Sequence, residues 1–236
     1  MAGRKFCEQT GVPVLPRVIV LSTADFANPV WTNKQYIAQG LAESADVLYV
    51  DSLGLRRPTL SIVDLRRIWK RVISYRESMP TSRAPHSRLR VIAPFVLPFH
   101  GWAWVRVINR RLLARAIRRE SAGRVWDVLW TFSPLTYGLE NMTRSVVYHS
   151  VDLLHTFPGV PSKTLLAAER QLAAAADVLL ASSVVIKDHL EGLTTREVKV
   201  WENVASTEMF AAAASEYRAD AAVFAGNLTP TKVDFE

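Results

Sequence analysis

Short runs of consecutive apolar residues, rich in Val, Ile and Leu, alternate with longer segments of helical periodicity from Arg17 to Trp201. The runs are Arg17–Ser22 (RVIVLS), Val47–Val50, Leu89–Ala93, Val128–Thr131, Ser145–Ser150, Val178–Ala181 and Val198–Trp201. Most are apolar at successive positions rather than at every second one. That pattern belongs to strands buried on both faces, which occur in parallel sheets covered by helices. The segments between them predict helices over Lys34–Ser44, Leu60–Arg76, Trp102–Glu120 and Ser162–Ala176, and a further one from Ser182-Ser183 to about Leu190. In the helix beginning at Trp102 the apolar stripe reads Val105, Ile108, Leu112 and Ala116. Ser162 reads as an N-cap. The expected class is α/β: a Rossmann-like, doubly wound parallel sheet of about seven strands.

With 236 residues and 49% hydrophobic content, the chain can bury a large core. Residues 1–16 read as a loose leader, 17–205 as the Rossmann-like domain, and 206–220 as an alanine-rich linker. Residues 221–236 open a second domain, beginning with a strand at Ala221–Ala225. No repeat appears at a period of 20–50 residues. The single cysteine, Cys7, fits a reducing compartment. Arg4, Lys5 and Glu8 interrupt the N-terminus, so no signal peptide is expected. The longest uncharged run, Val91 to Val105, contains Pro94, Pro98 and Gly101 and falls short of the roughly 18 apolar residues of a membrane span. A cytoplasmic location is expected, with peripheral attachment to the inner face of the membrane as an option.

In an open α/β sheet, ligands bind beyond the carboxyl ends of the strands. The densest ionisable cluster, His149, Asp152 and His155, follows such a strand. Catalytic, metal-binding and structural readings are all open to it. A spacing of three suits a helix face, but Phe157-Pro158-Gly159 forbids a long helix here, so no metal is expected. His100, before Gly101, follows the third strand and lies on the same rim. Ser182-Ser183 marks a strand-to-helix junction. A Walker A loop is excluded at Gly226–Lys232, because Thr231 stands where glycine is required, and no GxGxxG occurs.

In order along the chain, several motifs resemble the N-terminal domain of GT-B glycosyltransferases of the large group 1, or family 4, type. Arg17–Ser22 with Trp31, Lys34-Gln35 and Leu41-Ala42-Glu43 is similar to the family's first strand, substrate loop and first helix. Val146–Asp152 (VVYHSVD) resembles its strand ending in aspartate. Glu169 through Ala176-Asp177-Val178 to Ser183 resembles its E…ADxvxxxS run. Val200–Phe210 stands in place of the NGVD segment, reading Asn203-Val204-Ala205-Ser206 without the glycine and aspartate. Phe224–Asp234 resembles the opening of the donor-binding domain.

The resemblance implies transfer of a sugar from a nucleotide-sugar donor to a glycan or lipid-linked acceptor. The nucleotide-sugar would be co-substrate, with no other cofactor and no metal. Asp152 would act at the acceptor hydroxyl, with His155 and His100 near it. Trp31, Lys34, Ser133, His149 and Ser182 would contact substrate. Gly226 and Lys232 would begin the donor-phosphate loop. The family's paired-glutamate donor motif does not occur before Glu236, so these residues alone are expected to show little or no transferase activity.

The net charge of +7 concentrates between Arg56 and Arg119. Arg66, Arg67, Lys70 and Arg71 flank Trp69, and Arg106, Arg110 and Arg111 follow Trp102 and Trp104. Basic helices with tryptophan suit an anionic membrane surface. No nucleic-acid-binding motif accompanies the charge, so nucleic acid is not an expected partner. The alternative function is a non-catalytic membrane-binding or interaction domain on the same scaffold.

Overall fold

A computed structural model describes residues 15–55, 86–204 and 207–212. The helix expected over Leu60–Arg76, the leader through residue 14, the strand at Ala221–Ala225 and the loop with Gly226 and Lys232 lie outside the described residues. Contacts divide the chain into a unit Met1–Ala205 and a unit Ser206–Glu236.

The first unit holds one sheet of seven parallel strands: β1 (Arg17–Leu21), β2 (Asp46–Val50), β3 (Leu89–Ile92), β4 (Trp126–Thr131), β5 (Thr143–Ser150), β6 (Val178–Ala181) and β7 (Val198–Val200). Their order across the sheet is β3-β2-β1-β4-β5-β6-β7. Every pairing is parallel, from Arg17↔Asp46 on one side of β1 and Val18↔Val128 on the other to Ala181↔Val200 at the far end. This is the expected fold class. β4 and β5 both start before their apolar runs do. In β4 the added stretch holds Asp127, whose Oδ2 accepts the Arg17 backbone N–H at 2.9 Å and so secures the start of the β1–β4 pairing.

The two faces of the sheet bury separate cores, as the alternation of side chains along each strand requires. Val18, Val20, Val47, Tyr49, Trp130 and Phe132 point to one face, where helix α1 (Asn33–Ala42) brings Ile37, Ala38 and Ala42. Ile19, Leu21, Leu48, Leu129 and Tyr148 point to the other. There Leu113 and Ile117 of α2 (Ala103–Ser121), Leu165 and Leu172 of α3 (Ser162–Ala175), and Ile186 and Leu190 of α4 (Val184–Glu191) complete the core.

The stripe of α2 differs from the sequence expectation by one position. The fully buried residues are Val105, Asn109, Leu113 and Ile117 at helical spacing of four, whereas Ile108, Leu112 and Ala116 are half-buried. A polar residue can hold a core position because it is saturated. Asn109 Oδ1 accepts the Leu97 N–H at 2.7 Å and its Nδ2 donates to the Leu97 carbonyl at 2.9 Å. At the other end of α2, buried Arg17 donates to the carbonyls of Ser121, Arg124 and Glu120 at 3.0–3.2 Å. Its guanidinium lies 4.0 Å from the centre of the Trp126 ring. A cation thus caps the carbonyl end of the helix, where the peptide dipoles favour positive charge.

Between β4 and β5 the chain crosses over through a 3-10 turn, Leu139–Met142. Gly138 enters it at φ +86°, a left-handed backbone conformation that calls for glycine. In the second unit, α5 (Thr207–Ala212) occupies part of the segment expected as linker. Alanine is the strongest helix former, and Ala211-Ala212 extend the turn begun at Thr207.

Candidate functional site

The sheet order reverses at β1, whose neighbours β2 and β4 are reached in opposite directions along the sheet. Crevices at such a switch point, outside the carboxyl ends of the strands, are where open α/β sheets bind ligands. The loop leaving β1 is firmly held. Phe26 donates its N–H to Asp51 Oδ1 at the end of β2, and its ring packs edge-on against Tyr49. Gln35 is fully buried; its Oε1 accepts from the N–H of Thr32 at 3.0 Å, and its Nε2 donates to the Asp25 carbonyl at 3.1 Å. This reciprocal arrangement starts α1 and sets the direction of its first turn.

That first turn carries Lys34. Its side chain is buried, and Nζ donates to Asp152 Oδ2 at 3.5 Å. A buried ammonium needs such a counter-charge. Asp152 lies just past β5 and keeps 43% of its side chain exposed. One oxygen of the pair is therefore engaged while the carboxylate still faces solvent. Beside Lys34, Asn33 Nδ2 donates to Asn203 Oδ1 at 2.9 Å, tying α1 to the segment after β7.

Aromatic rings border the pair. His149 is fully buried and lies 5.8 Å from the Trp201 ring in stacked geometry, 5.1 Å from Phe132 and 6.2 Å from Trp130. Neither of its ring nitrogens has a well-formed hydrogen-bond partner. Burial pushes its pKa down to about 4, against an opposing contact with the Trp201 backbone, and the nearby Lys34 charge adds a smaller depression. His149 is thus a neutral imidazole at neutral pH, held in an apolar wall. Trp201 remains 42% exposed and forms the outer part of that wall.

The other residues expected at the site have varied positions. Trp31 packs against Phe26 and Tyr36 at ring distances of 5.3 and 5.4 Å. Ser133 is buried in the turn after β4, where its hydroxyl accepts the Leu135 N–H. Ser182 donates to the Val151 carbonyl at 3.3 Å, bracing the loop that carries Asp152, while Ser183 caps α4 by accepting from Ile186 N–H. His100 is buried, and its ring bonds the Tyr137 hydroxyl and the Gly54 carbonyl. Both of its ring nitrogens are thus engaged by groups of the protein.

His155 has Glu169 and His189 as its near neighbours, with Nδ1 3.9 Å from Glu169 Oε2 and its ring stacked on that of His189. Ser162 does not cap α3; Pro161 occupies that position, and the Ser162 hydroxyl donates to the His155 carbonyl at 2.6 Å. Nothing in the sequence singles out His189, and Glu169 stands out there only as part of a motif. The two belong to different helices and meet His155 only through the fold.

At the rim, the arrangement offers a half-exposed carboxylate fixed by an ammonium, beside an aromatic wall. Such a carboxylate can accept a proton from a hydroxyl group or orient it, and aromatic faces suit the apolar faces of sugar rings.

No protein-family model matches the sequence, and no curated protein matches it either. Among solved structures, sucrose-phosphate synthase from Thermosynechococcus elongatus is similar with a TM-score of 0.50 and 13% identity, over 80% of this chain and 48% of that one. This chain therefore spans about half the length of that synthase. Another structure of the synthase aligns with a TM-score of 0.45 and 15% identity, over 84% of this chain and 93% of that one. The fold class expected from the sequence, a Rossmann-like sheet of parallel strands with helices, is the fold the chain has, and the synthase shares that fold over the aligned region.

Proposed function

We propose that this chain is the acceptor-side half of a glycosyltransferase that moves a sugar from a nucleotide-sugar to a glycan or lipid-linked acceptor. The observation that carries the reading is the Lys34–Asp152 pair beyond the carboxyl ends of the strands, with Asp152 open to solvent. Lys34 holds the carboxylate in position through its 3.5 Å contact. Asp152 accepts the proton of the acceptor hydroxyl as its oxygen bonds to the anomeric carbon of the donor. The bond from that carbon to the diphosphate breaks, and its electron pair leaves with the nucleoside diphosphate. His149 and Trp201 shape the wall against which the acceptor ring lies. Gly226 and Lys232 are the donor-phosphate candidates by resemblance, a glycine for close backbone approach and a lysine for charge.

The test is acceptor binding by saturation-transfer NMR against a panel of glycans and polyprenyl-linked sugars. Asp152→Asn should reduce affinity for the accepted glycan at least tenfold with an unchanged circular-dichroism spectrum. Where turnover is measurable with a supplied donor, the same variant should lose about 10²–10⁴-fold in rate, the range for removing a general base. Wild-type-like binding and turnover by Asp152→Asn would remove the basis for the assignment.

A second reading is favoured by a separate observation. Phe99, Trp102 and Trp104 form an exposed ladder at the start of α2, with ring distances of 5.0 and 5.6 Å. Trp102 and Trp104 are each more than half exposed, and Arg110 and Arg111 are exposed one to two turns further on. Tryptophan next to arginine suits the headgroup region of an anionic bilayer. Among the described residues no helix is long and apolar enough to cross a membrane, so this would be docking at the surface. The wild-type chain should co-sediment with phosphatidylglycerol vesicles at low salt, and Trp102→Ala/Trp104→Ala should not. Equal sedimentation of both would leave the ladder without this role.

A further inference from the structure

We propose that His155, Glu169 and His189 form a binding site for a divalent transition-metal ion of the zinc class, fastening the loop after β5 to α3 and α4. The candidate ligand atoms all lie within 4.8 Å of one another. Glu169 Oε2 is 2.9 Å from His189 Nε2 and 3.9 Å from His155 Nδ1. In a tetrahedral zinc site with Zn–N near 2.0–2.1 Å, ligand atoms stand about 3.3 Å apart. The three atoms therefore need shifts of at most about 1.5 Å to stand around one ion.

Three features favour a metal over a simple ion pair. First, Glu169 is a buried carboxylate on the inner face of α3, and such a group requires compensating charge. Second, His155 Nδ1 is buried with no hydrogen-bond partner, although it points toward that carboxylate. A histidine–glutamate ion pair through His189 leaves this nitrogen unsatisfied; a shared cation satisfies it. Third, the two imidazoles stack, with centroids 4.8 Å apart and planes inclined by 24°. Two imidazolium rings would repel in that geometry, while two neutral rings can both offer a lone pair to one ion.

The surroundings are built as supports for ligands usually are. Tyr148, fully buried on β5, donates its hydroxyl to Glu169 Oε1 at 2.6 Å, leaving Oε2 for the ion. Ser162 holds the His155 main chain through its carbonyl. Outer contacts of this kind orient ligands and are worth about 10–100-fold in metal affinity. Two imidazoles and one carboxylate suit zinc and its neighbours rather than calcium or magnesium, which prefer all-oxygen shells. Both histidines are partly exposed, at 18% and 20% of their side chains, so an ion has a way in. The site shares no residue with the Lys34–Asp152 pair, and its test does not depend on the proposed transferase chemistry.

The experiment uses the tag-free chain, stripped with a chelator and titrated with Zn²⁺ by calorimetry and with Co²⁺ by visible spectroscopy. Expected are one equivalent of zinc per chain, the intense d–d bands of tetrahedral cobalt, and a raised unfolding temperature on loading. Tyr148→Phe should weaken affinity about 10–100-fold. His155→Gln/His189→Gln should abolish the cobalt bands. X-ray absorption of the zinc-loaded wild type should show two imidazole nitrogens, a readout that needs no variant to fold. Absence of stoichiometric binding overturns the proposal, as does an absorption spectrum without imidazole ligands, or cobalt bands that survive in a folded double variant.

Discussion

Asp152 and His149 sit three residues apart, and their surroundings give them opposite characters. Asp152 is half-exposed and paired with an ammonium, so it stays available to solvent and ligand. His149 is buried among rings and kept neutral. Its folded-state pKa of about 4 lies below the ordinary 6.5, so the unfolded chain takes up this proton first as the pH falls. Stability from this group is therefore complete above about pH 6.5 and is lost progressively down to about pH 4. The loss is on the order of 3 kcal/mol at 1.36 kcal/mol per pKa unit. His149→Phe removes both the titration and two poorly satisfied nitrogens. In urea titrations it should match or exceed wild-type stability at pH 5 and show a flatter dependence between pH 7 and 4.5. A steeper dependence in the variant would contradict the assignment. If the imidazole serves the acceptor, the same variant should bind it more weakly while being no less stable.

At the scale of elements, α2 shows how a helix can be legible in outline and misread in its packing. Its arginines and apolar residues mark the helix, but its stripe runs through Asn109, which looks like a surface residue until its partner is known. That partner is the backbone of Leu97, twelve positions earlier in a loop without periodicity. Asn109→Ala would leave the partly buried N–H and carbonyl of Leu97 without these partners. It should cost about 2–3 kcal/mol, read as a fall in the urea midpoint, since an unsatisfied buried group costs about 1–3 kcal/mol. Asn109→Asp should also destabilise, because it retains the acceptor for Leu97 N–H but loses the donor to Leu97 carbonyl. The strands are easier to read. Burial on both faces writes most of them as short runs dominated by Val, Leu and Ile, and no partner need be known to see it. At the rim, Lys34 and Asp152 are each visible as candidates, but their meeting across 118 positions is not. The same limit hides the grouping of His155, Glu169 and His189, which come from a 3-10 turn and two helices with no shared spacing.

For the molecule as a whole, the central position of β1 is decisive. It pairs with β2 on one side and β4 on the other, and the helix that follows it carries Lys34 to Asp152. A fragment ending at residue 124 retains β1 to β3 and α2 but lacks β4 entirely. It would leave one edge of β1 open and Leu113 and Ile117 without Leu129 beneath them. Such a fragment should show no cooperative urea transition by circular dichroism, whereas the full chain should show one. A cooperative transition in the fragment would mean that the first three strands suffice.

The pairing of β1 with β4 also has a consequence in time. The backbone of Arg17 waits for Asp127, 110 positions later, before its N–H is satisfied. At about 5–20 residues per second, a ribosome needs about 5–20 s to deliver that partner. During that interval the most apolar strand of the nascent chain has one edge unpaired, and all-parallel pairing cannot be hurried by a hairpin. Yield of folded protein should therefore depend on whatever shields Val18–Leu21 during synthesis, well before any ligand or ion is met.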